Sequence, residues 1–289
     1  MFGNVKKCVG KIAAFAVIFG CLFTGCSKSK TEAATDTVVP ERIVSLSPAA
    51  TEILFAVGAG DKVVAVDEFS DYPEEVIDLP KIGGFDGKTL SIEKILSFEP
   101  DFVYLTDGMH NFLIDSLEKY NIDYYISTGR SVDEVVNEIS DLGKITDNEK
   151  TAKKVVAGIE KSIKSASKNI SDSENKPSVY YEVWNNPYMS IGGDTFISDV
   201  IAKAGGKNIF SDLIAWPSVS EESIIAANPD VIIIPISSGI TVEDVGGRTG
   251  WSDISAVKNN KIFIVDDNLY SRPSPRIGET ITQLSELLK

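Results

Sequence analysis

The chain has 289 residues, 43% of them hydrophobic and 24% charged, with 22 glycines and 12 prolines. That balance belongs to a globular protein and excludes collagen, coiled coil and intrinsic disorder; at about 100 to 200 residues per domain it accommodates one large domain or two of middling size. The 28 lysines and arginines against 42 acidic residues leave a net charge of −14, a field that repels phosphate backbones and argues against nucleic acid as a partner.

Residues 1–25 hold Lys6, Lys7 and Lys11 and no acid, and an apolar run from Ile12 to Phe23 follows the lysines. This is the layout of a secretory signal peptide, and the run is shorter than the roughly 20 residues a membrane span needs. It ends in Leu22-Phe23-Thr24-Gly25-Cys26, which resembles the bacterial lipoprotein signal, in which small residues precede a cysteine that is acylated and becomes the new first residue. Phe23 stands where that signal usually has leucine. Cys26 is therefore the expected lipidation site, and residues 26–40, polar and threonine-rich, read as a flexible tether to an extracytoplasmic membrane surface. The three cysteines are Cys8, Cys21 and Cys26, so the fold beyond the tether forms no disulfide. Removal of the first 25 residues takes three lysines with it, leaving 25 basic against 42 acidic residues and a charge of −17.

Beyond the tether, short β-branched runs alternate with helical patterns. Ile43 to Leu46, Val63 to Val66, Phe102 to Leu105 and Tyr124 to Ile126 read as strands, and the texture returns at Val179 to Val183, Val231 to Ile234 and Ile262 to Val265. Such alternation predicts two α/β lobes, over 41–146 and 173–289. Between them, over 147–172, the apolar spacing of Ala152, Val155, Val156, Ile159 and Ile163 predicts one long helix. Thr146 with Glu149 forms a candidate capping box at its start, and about 21 residues give a rod of roughly 30 Å. A single helical connection has few soft dihedrals, so the lobes are expected to rock a little rather than swing on a wide hinge.

An internal repeat supports the division. Residues 91–101, Ser-Ile-Glu-Lys-Ile-Leu-Ser-Phe-Glu-Pro-Asp, align without gaps on residues 220–230, Ser-Glu-Glu-Ser-Ile-Ile-Ala-Ala-Asn-Pro-Asp. Ser91 and Ser220 are candidate helix caps, Leu90 and Val219 can staple onto Ile95 and Ile224, and Pro-Asp ends each helix before a strand. Glu93 and Glu222 thus fall at equivalent first-turn positions, where the helix dipole stabilises a carboxylate by about 0.3 to 1 kcal/mol.

Most catalytic chemistry is missing. The sole histidine is His110 and the predicted fold has no cysteine, so neither a histidine-rich metal centre nor a Cys-His nucleophile can be assembled. Gly87-Lys88-Thr89 lacks the glycine of a phosphate-binding loop, position 82 being isoleucine; Gly58-Ala59-Gly60 has valine at 63; and no Gly-x-Ser-x-Gly elbow occurs. A secreted acidic hydrolase working through a carboxylate pair is the competing class, although nothing singles out a pair. Aromatic residues near turn signals are the better candidates, for binding: Phe69 and Tyr72 in Phe-Ser-Asp-Tyr-Pro, Phe85 and Asp86 among glycines, Trp184 before Asn185-Asn186-Pro187-Tyr188, and Trp216 before Pro217.

Five stretches carry a family resemblance: Ser45-Leu46-Ser47-Pro48-Ala49-Ala50-Thr51-Glu52, Ser70-Asp71-Tyr72-Pro73, the paired glutamate helices, Trp216-Pro217, and Arg272-Pro273-Ser274-Pro275-Arg276. In order and spacing, from about Glu41 to the C-terminus, the chain resembles the substrate-binding lipoproteins of ATP-driven (ABC) importers for vitamin B12, haem and ferric siderophores. The resemblance implies two Rossmann-like lobes joined by a rigid helix, a ligand cleft between them, no catalysis and no cofactor. It also implies a monomer that docks on a permease dimer through Glu93 and Glu222. The look is nearest to the B12 binders, with Tyr72, Phe85, Asp86, Trp184, Trp216 and Arg272 as ligand contacts, although Phe85 and Thr106 stand where the B12 binder has tryptophans. Siderophore binders of the family tend to use arginines, of which this chain has five. A haem would take a side-chain ligand, and His110 is the one imidazole to offer it.

Overall fold

The structure is a computed structural model that describes residues 5–6, 38–84, 88–169 and 176–289. Most of the proposed signal peptide, Cys26 and nearly all of the tether lie outside the described residues.

The first lobe is built on a five-stranded sheet. Its strands are β1 (Val5–Lys6), β2 (Ile43–Ser45), β3 (Val63–Val66), β4 (Phe102–Thr106) and β5 (Asp123–Ser127), in the order β1-β5-β4-β2-β3. β2 to β5 are parallel, and β1 pairs antiparallel with β5. The central strands are near-continuous apolar runs because helices cover both faces. These helices are α1 (Pro48–Val57), α2 (Ile92–Leu96), α3 (Ile114–Lys119) and α4 (Val132–Ile145). One face buries Val44, Leu46, Ile95, Val103 and Leu117; the other buries Ile43, Ile53, Leu54 and Tyr104.

After α5 (Glu149–Asn169) comes the second lobe, whose parallel sheet runs β11-β10-β6-β9 from β6 (Ser178–Tyr181), β9 (Lys207–Asn208), β10 (Val231–Pro235) and β11 (Ile262–Val265). A hairpin of β7 (Trp184–Asn185) and β8 (Tyr188–Met189) leaves the end of β6. Around the sheet lie α6 (Phe196–Ala204), α7 (Glu221–Ala227), α8 (Val242–Gly246), α9 (Ser255–Lys258), α10 (Asp267–Tyr270) and α11 (Ile277–Leu287).

In the segment between the two sheets lies α5, a helix of 21 residues. Its Ala152, Ile159 and Ala166 are buried in an apolar cluster that runs without a break from Ile43 and Ile53 of the first lobe to Val200, Ile233 and Ile281 of the second. α5 packs on α1 and α4 on one side and on α6 and α11 on the other. The approach to α4 is close: a Cβ on Gly143 would stand 2.3 Å from that of Ala152.

The predicted strands appear within a residue or two of their expected ends, and the repeat helices are capped as anticipated. Ser91 accepts from the Lys94 amide at 3.3 Å, and Ser220 from the Ser223 amide at 3.1 Å. The Thr146–Glu149 capping box does not form. Thr146 belongs to the end of α4, where its hydroxyl donates to the Leu142 carbonyl at 2.7 Å, so the side chain stays with the preceding helix. The segment from Trp184 to Tyr188, read from its polar residues as a turn, is a two-stranded hairpin.

Candidate functional site

Parallel strands deliver their following loops to one end of a sheet, and in open α/β sheets ligands bind at that end, where the strand order reverses. In the first lobe the reversal lies between β2 and β4. Here a cavity of about 400 Å³ opens, lined after β2 by Ser47, Pro48 and Ala49, after β3 by Phe69, by Tyr104 and Thr106 of β4 with Met109 beyond it, and after β5 by Thr128 and Gly129. Ser127, at the end of β5, joins them. The opposite wall comes from the loop after β11 of the second lobe: Asn268, Ser271, Arg272 and Pro273. The cavity is therefore a cleft between the carboxyl ends of the two sheets.

Its floor is rich in hydroxyls held from behind. The Tyr104 phenol and the Ser127 hydroxyl donate to opposite oxygens of Glu138 on α4, the latter at 2.6 Å, and Thr128 donates to Glu134 at 2.7 Å. Desolvation, with Asp141 nearby, pushes the Glu138 carboxyl well above the usual carboxylate range. A second buried network holds the loop after β3. Ser70 donates to Asp67 at 2.5 Å, Thr51 shares a hydrogen bond with Ser70 at 2.9 Å, and Asp67 takes the Phe69 amide at 2.8 Å. Burial raises the Asp67 carboxyl, against the opposing effect of these hydrogen bonds.

Arg272 lines the cleft, but its guanidinium is engaged. Nη1 donates to Asp71 at 2.6 Å and to Glu52 at 3.3 Å, and Nη2 to the Asn268 side chain at 2.8 Å. Arg276 makes a bidentate pair with Glu52 at 2.8 and 2.6 Å and stacks 4.3 Å from the Tyr72 ring. Glu52 and Asp71 belong to the first lobe and the two arginines to the second, so this cluster ties the lobes together. Arg272, expected as a ligand contact, thus lines the cleft while held in a cross-lobe ion-pair cluster.

The other expected residues are distributed as follows. Tyr72, Trp184 and Trp216 are 47, 46 and 50% exposed. Trp184 pairs with Met189 across the hairpin, and Met189 bridges to Ser218, two residues beyond Trp216, so the segments that carry the two tryptophans adjoin. The hairpin leaves from the carboxyl end of β6, as the cleft-lining segment leaves from that of β11; neither tryptophan is among the residues lining the cavity. Phe85 and Asp86 lie outside the described residues. Glu93 and Glu222 are exposed on the first turns of α2 and α7. His110 is fully buried, its Nδ1 accepting from the Thr106 amide at 3.0 Å, and burial lowers its pKa to about 4. A fully buried imidazole presents no nitrogen to a haem in the cleft; it braces the loop after β4 instead.

Sequence reasoning did not single out Glu52, Asp71, Arg276, Tyr104, Met109 or Glu138. The first three sit inside quoted motifs, but nothing in a linear sequence tells which carboxylate meets which arginine. Glu138 carried a readable signal: an acid on the apolar face formed by Val135, Ile139 and Leu142 of α4.

Among the described residues no group of histidine, cysteine and acidic side chains forms a metal site, and no helix is long and apolar enough to cross a membrane. Comparison with known proteins agrees with this architecture. The family model described as periplasmic binding protein matches residues 43–269. An uncharacterized ABC transporter substrate-binding lipoprotein of Bacillus subtilis is 33% identical over 255 residues, covering 86% of this chain and 79% of the relative. A vitamin B12-binding protein of Vibrio campbellii is 31% identical, covering 85% and 88%. The crystal structure of a possible iron-binding, periplasmic solute-binding protein of Staphylococcus epidermidis superposes with a TM-score of 0.74 at 33% identity, covering 86% and 98%. The chain belongs to the periplasmic binding protein family.

Proposed function

With membership of the periplasmic binding protein family as the premise, we propose that this substrate-binding component of an ABC transporter carries a corrinoid, a vitamin B12-like nutrient, to its permease. Family members bind and hand over rather than transform, which sets the hydrolase alternative aside. The observation that carries the ligand reading is the charge of the cleft. Among the described residues its one charged lining residue, Arg272, is already paired with Asp71 and Glu52, and the rest of that lining is hydroxyl, amide and apolar. An electroneutral wall suits a flat macrocycle edged with amides. A polyanionic chelate or a haem would bring carboxylates or phenolates that Arg272 has no unpaired fork to receive. Trp184, Trp216 and Tyr72, half exposed and outside that lining, offer large area at low rotamer cost, with Phe85 and Asp86 as further contacts.

A ferric siderophore is the second reading, favoured by the similarity to the possible iron-binding protein. Titration of the purified protein with cobalamin, haemin and a ferric siderophore, followed by tryptophan quenching, separates them. Saturable quenching by cobalamin alone is expected; tighter binding of the siderophore would reverse the assignment. Trp184→Ala with Trp216→Ala should weaken cobalamin binding by about 1 to 2 kcal/mol while leaving stability unchanged, because both rings are half exposed.

The same proposal covers the whole chain: a signal peptide over 1–25, Cys26 as the lipid anchor, a tether over 26–40, lobes over 41–146 and 173–289 joined by 147–172, and a monomer outside the cytoplasm. Glu93 and Glu222 are the docking carboxylates, one on each lobe, for arginines of a permease dimer. Support comes from their equivalence in the repeat and their exposure at matching helix starts. The double substitution Glu93→Ala with Glu222→Ala should abolish uptake with ligand affinity unchanged; uptake that survives would sink this assignment.

A further inference from the structure

The hydroxyls on the cleft floor make their hydrogen bonds away from the cleft, into α4. Glu138 is 4% exposed and spans the Tyr104 phenol and the Ser127 hydroxyl with its two oxygens. One turn earlier, Glu134 takes the Thr128 hydroxyl and, at 2.8 Å, the Arg130 amide. Tyr104, Ser127 and Thr128 line the cavity and the two glutamates do not. A hydroxyl has one proton, and where a group behind it holds that proton, its lone pairs are left for whatever lies in front. Packing alone does not ask for an acid at 138. Val135, Ile139 and Leu142 on the same face are wholly buried, and an apolar side chain there would avoid the cost of desolvating a carboxyl.

We propose that Glu138, without touching the ligand, is a positioning residue that sets the hydrogen-bond polarity of the cleft floor, and that the floor so set selects primary amides over carboxylates. The inference rests on the corrinoid reading above. A neutral Glu138, the form its burial favours, accepts from one of the two hydroxyls and reverses the other bond, donating its own proton to that hydroxyl. That hydroxyl's proton then turns to the cleft, and the floor offers one donor among several acceptors. A primary amide has both a carbonyl and an NH₂ and satisfies such a floor. A carboxylate has acceptors only, so beyond that one donor it faces lone pairs, and Arg272, the one cation lining the cleft among the described residues, is committed to Asp71 and Glu52.

The test compares cobalamin with its monocarboxylate, made by hydrolysing one peripheral amide, in tryptophan-quenching titrations of the unaltered protein, Glu138→Gln and Glu138→Leu. The unaltered protein should prefer the amide form by about tenfold. Glu138→Leu, which frees both hydroxyls to turn either way, should bring the two affinities within about twofold or threefold. Glu138→Gln keeps one donor and one acceptor behind the floor and should retain the preference. An unchanged ratio in Glu138→Leu, or one that collapses equally in Glu138→Gln, overturns the inference. If Glu138→Leu does not fold, Tyr104→Phe combined with Ser127→Ala removes the hydroxyls themselves and should collapse the ratio in the same way. Failure of the unaltered protein to bind either compound is a different outcome: it overturns the corrinoid reading, and the inference with it.

Discussion

Two buried glutamates of this protein each take an arginine in a bidentate pair, with opposite consequences. Glu182 follows β6, is wholly buried, and meets Arg248 at 2.6 and 2.7 Å; both belong to the second lobe, and the guanidinium lies 4.5 Å from the Trp251 ring and 5.2 Å from that of Tyr188. Glu52 lies on α1 of the first lobe and meets Arg276 of the second, with Arg272 as an additional donor. The chemistry is the same, but the placement is not. Glu182–Arg248 is a rivet inside one folding unit, broken only by unfolding it. Glu52–Arg276 is a latch between units, which any separation of the lobes would break. Fork-to-fork geometry suits both uses because it is strong only when aligned, so a small rocking of the lobes would disengage the latch.

The contrast is broken most severely at the rivet. Glu182→Ala leaves Arg248 boxed in by Trp251 and Tyr188 with no carboxylate, and loss of one partner of such a pair costs about 3 to 5 kcal/mol. Urea unfolding should show that loss, with Glu182→Ala more damaging than Glu52→Ala; the reverse order would show that the cross-lobe pair is the structural one.

Burial without ionisation sharpens the comparison. His110 is held neutral, with its pKa lowered from 6.5 to about 4 by desolvation. A depressed folded-state pKa means that the unfolded chain takes up the proton first, so the stability is fully present above pH 6.5 and lost as the pH falls towards 4. The shift corresponds to about 3 kcal/mol. The raised carboxyls of Asp67 and Glu138 act in the opposite sense, since the folded protein takes up their protons at higher pH than the unfolded chain does. The measurement is therefore a difference: stability against pH for the unaltered protein less that for His110→Gln. A difference that stays flat between pH 6.5 and 4 would refute the assignment.

At the latch, Glu52→Ala should cost about 2 kcal/mol, less than the rivet because Arg276 is more exposed than Arg248 and Arg272 keeps Asp71 and Asn268. Its characteristic effect is kinetic: cobalamin should dissociate faster by stopped-flow, with the association rate little changed. Equal dissociation rates would mean that the pair does not hold the cleft closed.

How much of this was legible in the sequence follows from the same contrast. The strands and the 21-residue helix were readable because period and apolar runs are local properties, and Ser91 and Ser220 because a cap bonds three residues ahead. The latch was not, since Glu52 and Arg276 stand 224 positions apart and no local rule pairs them. His110 looked like a solvated loop residue or a haem ligand because polar neighbours surround it in sequence; only the folded loop shows its ring turned inward. The hairpin at Trp184 was hidden by Asn185, Asn186 and Pro187, residues that signal a turn and leave its two-residue strands too short to register.

The smallest expected effect lies at Gly129, where backbone closely approaches the opposite lobe. Gly129 has φ +56°, and a Cβ there would stand 3.0 Å from Pro273 Cγ of the second lobe. Gly129→Ala therefore combines a backbone cost of about 1 kcal/mol with a push against Pro273, and Pro273 sits next to Arg272 in the cleft wall. Gly108, φ +77°, has nothing within 4 Å of a Cβ, so Gly108→Ala carries the backbone cost alone. Both variants should lose similar stability in urea, because the lobes can yield by a few tenths of an ångström. They should part in ligand kinetics: Gly129→Ala wedges the lobes on the latch side and should raise the cobalamin dissociation rate, as Glu52→Ala does, while Gly108→Ala should not. Combining Gly129→Ala with Glu52→Ala then tests whether the two act through one opening. If they do, the second change adds less than it does alone; full additivity would separate the Pro273 contact from the latch.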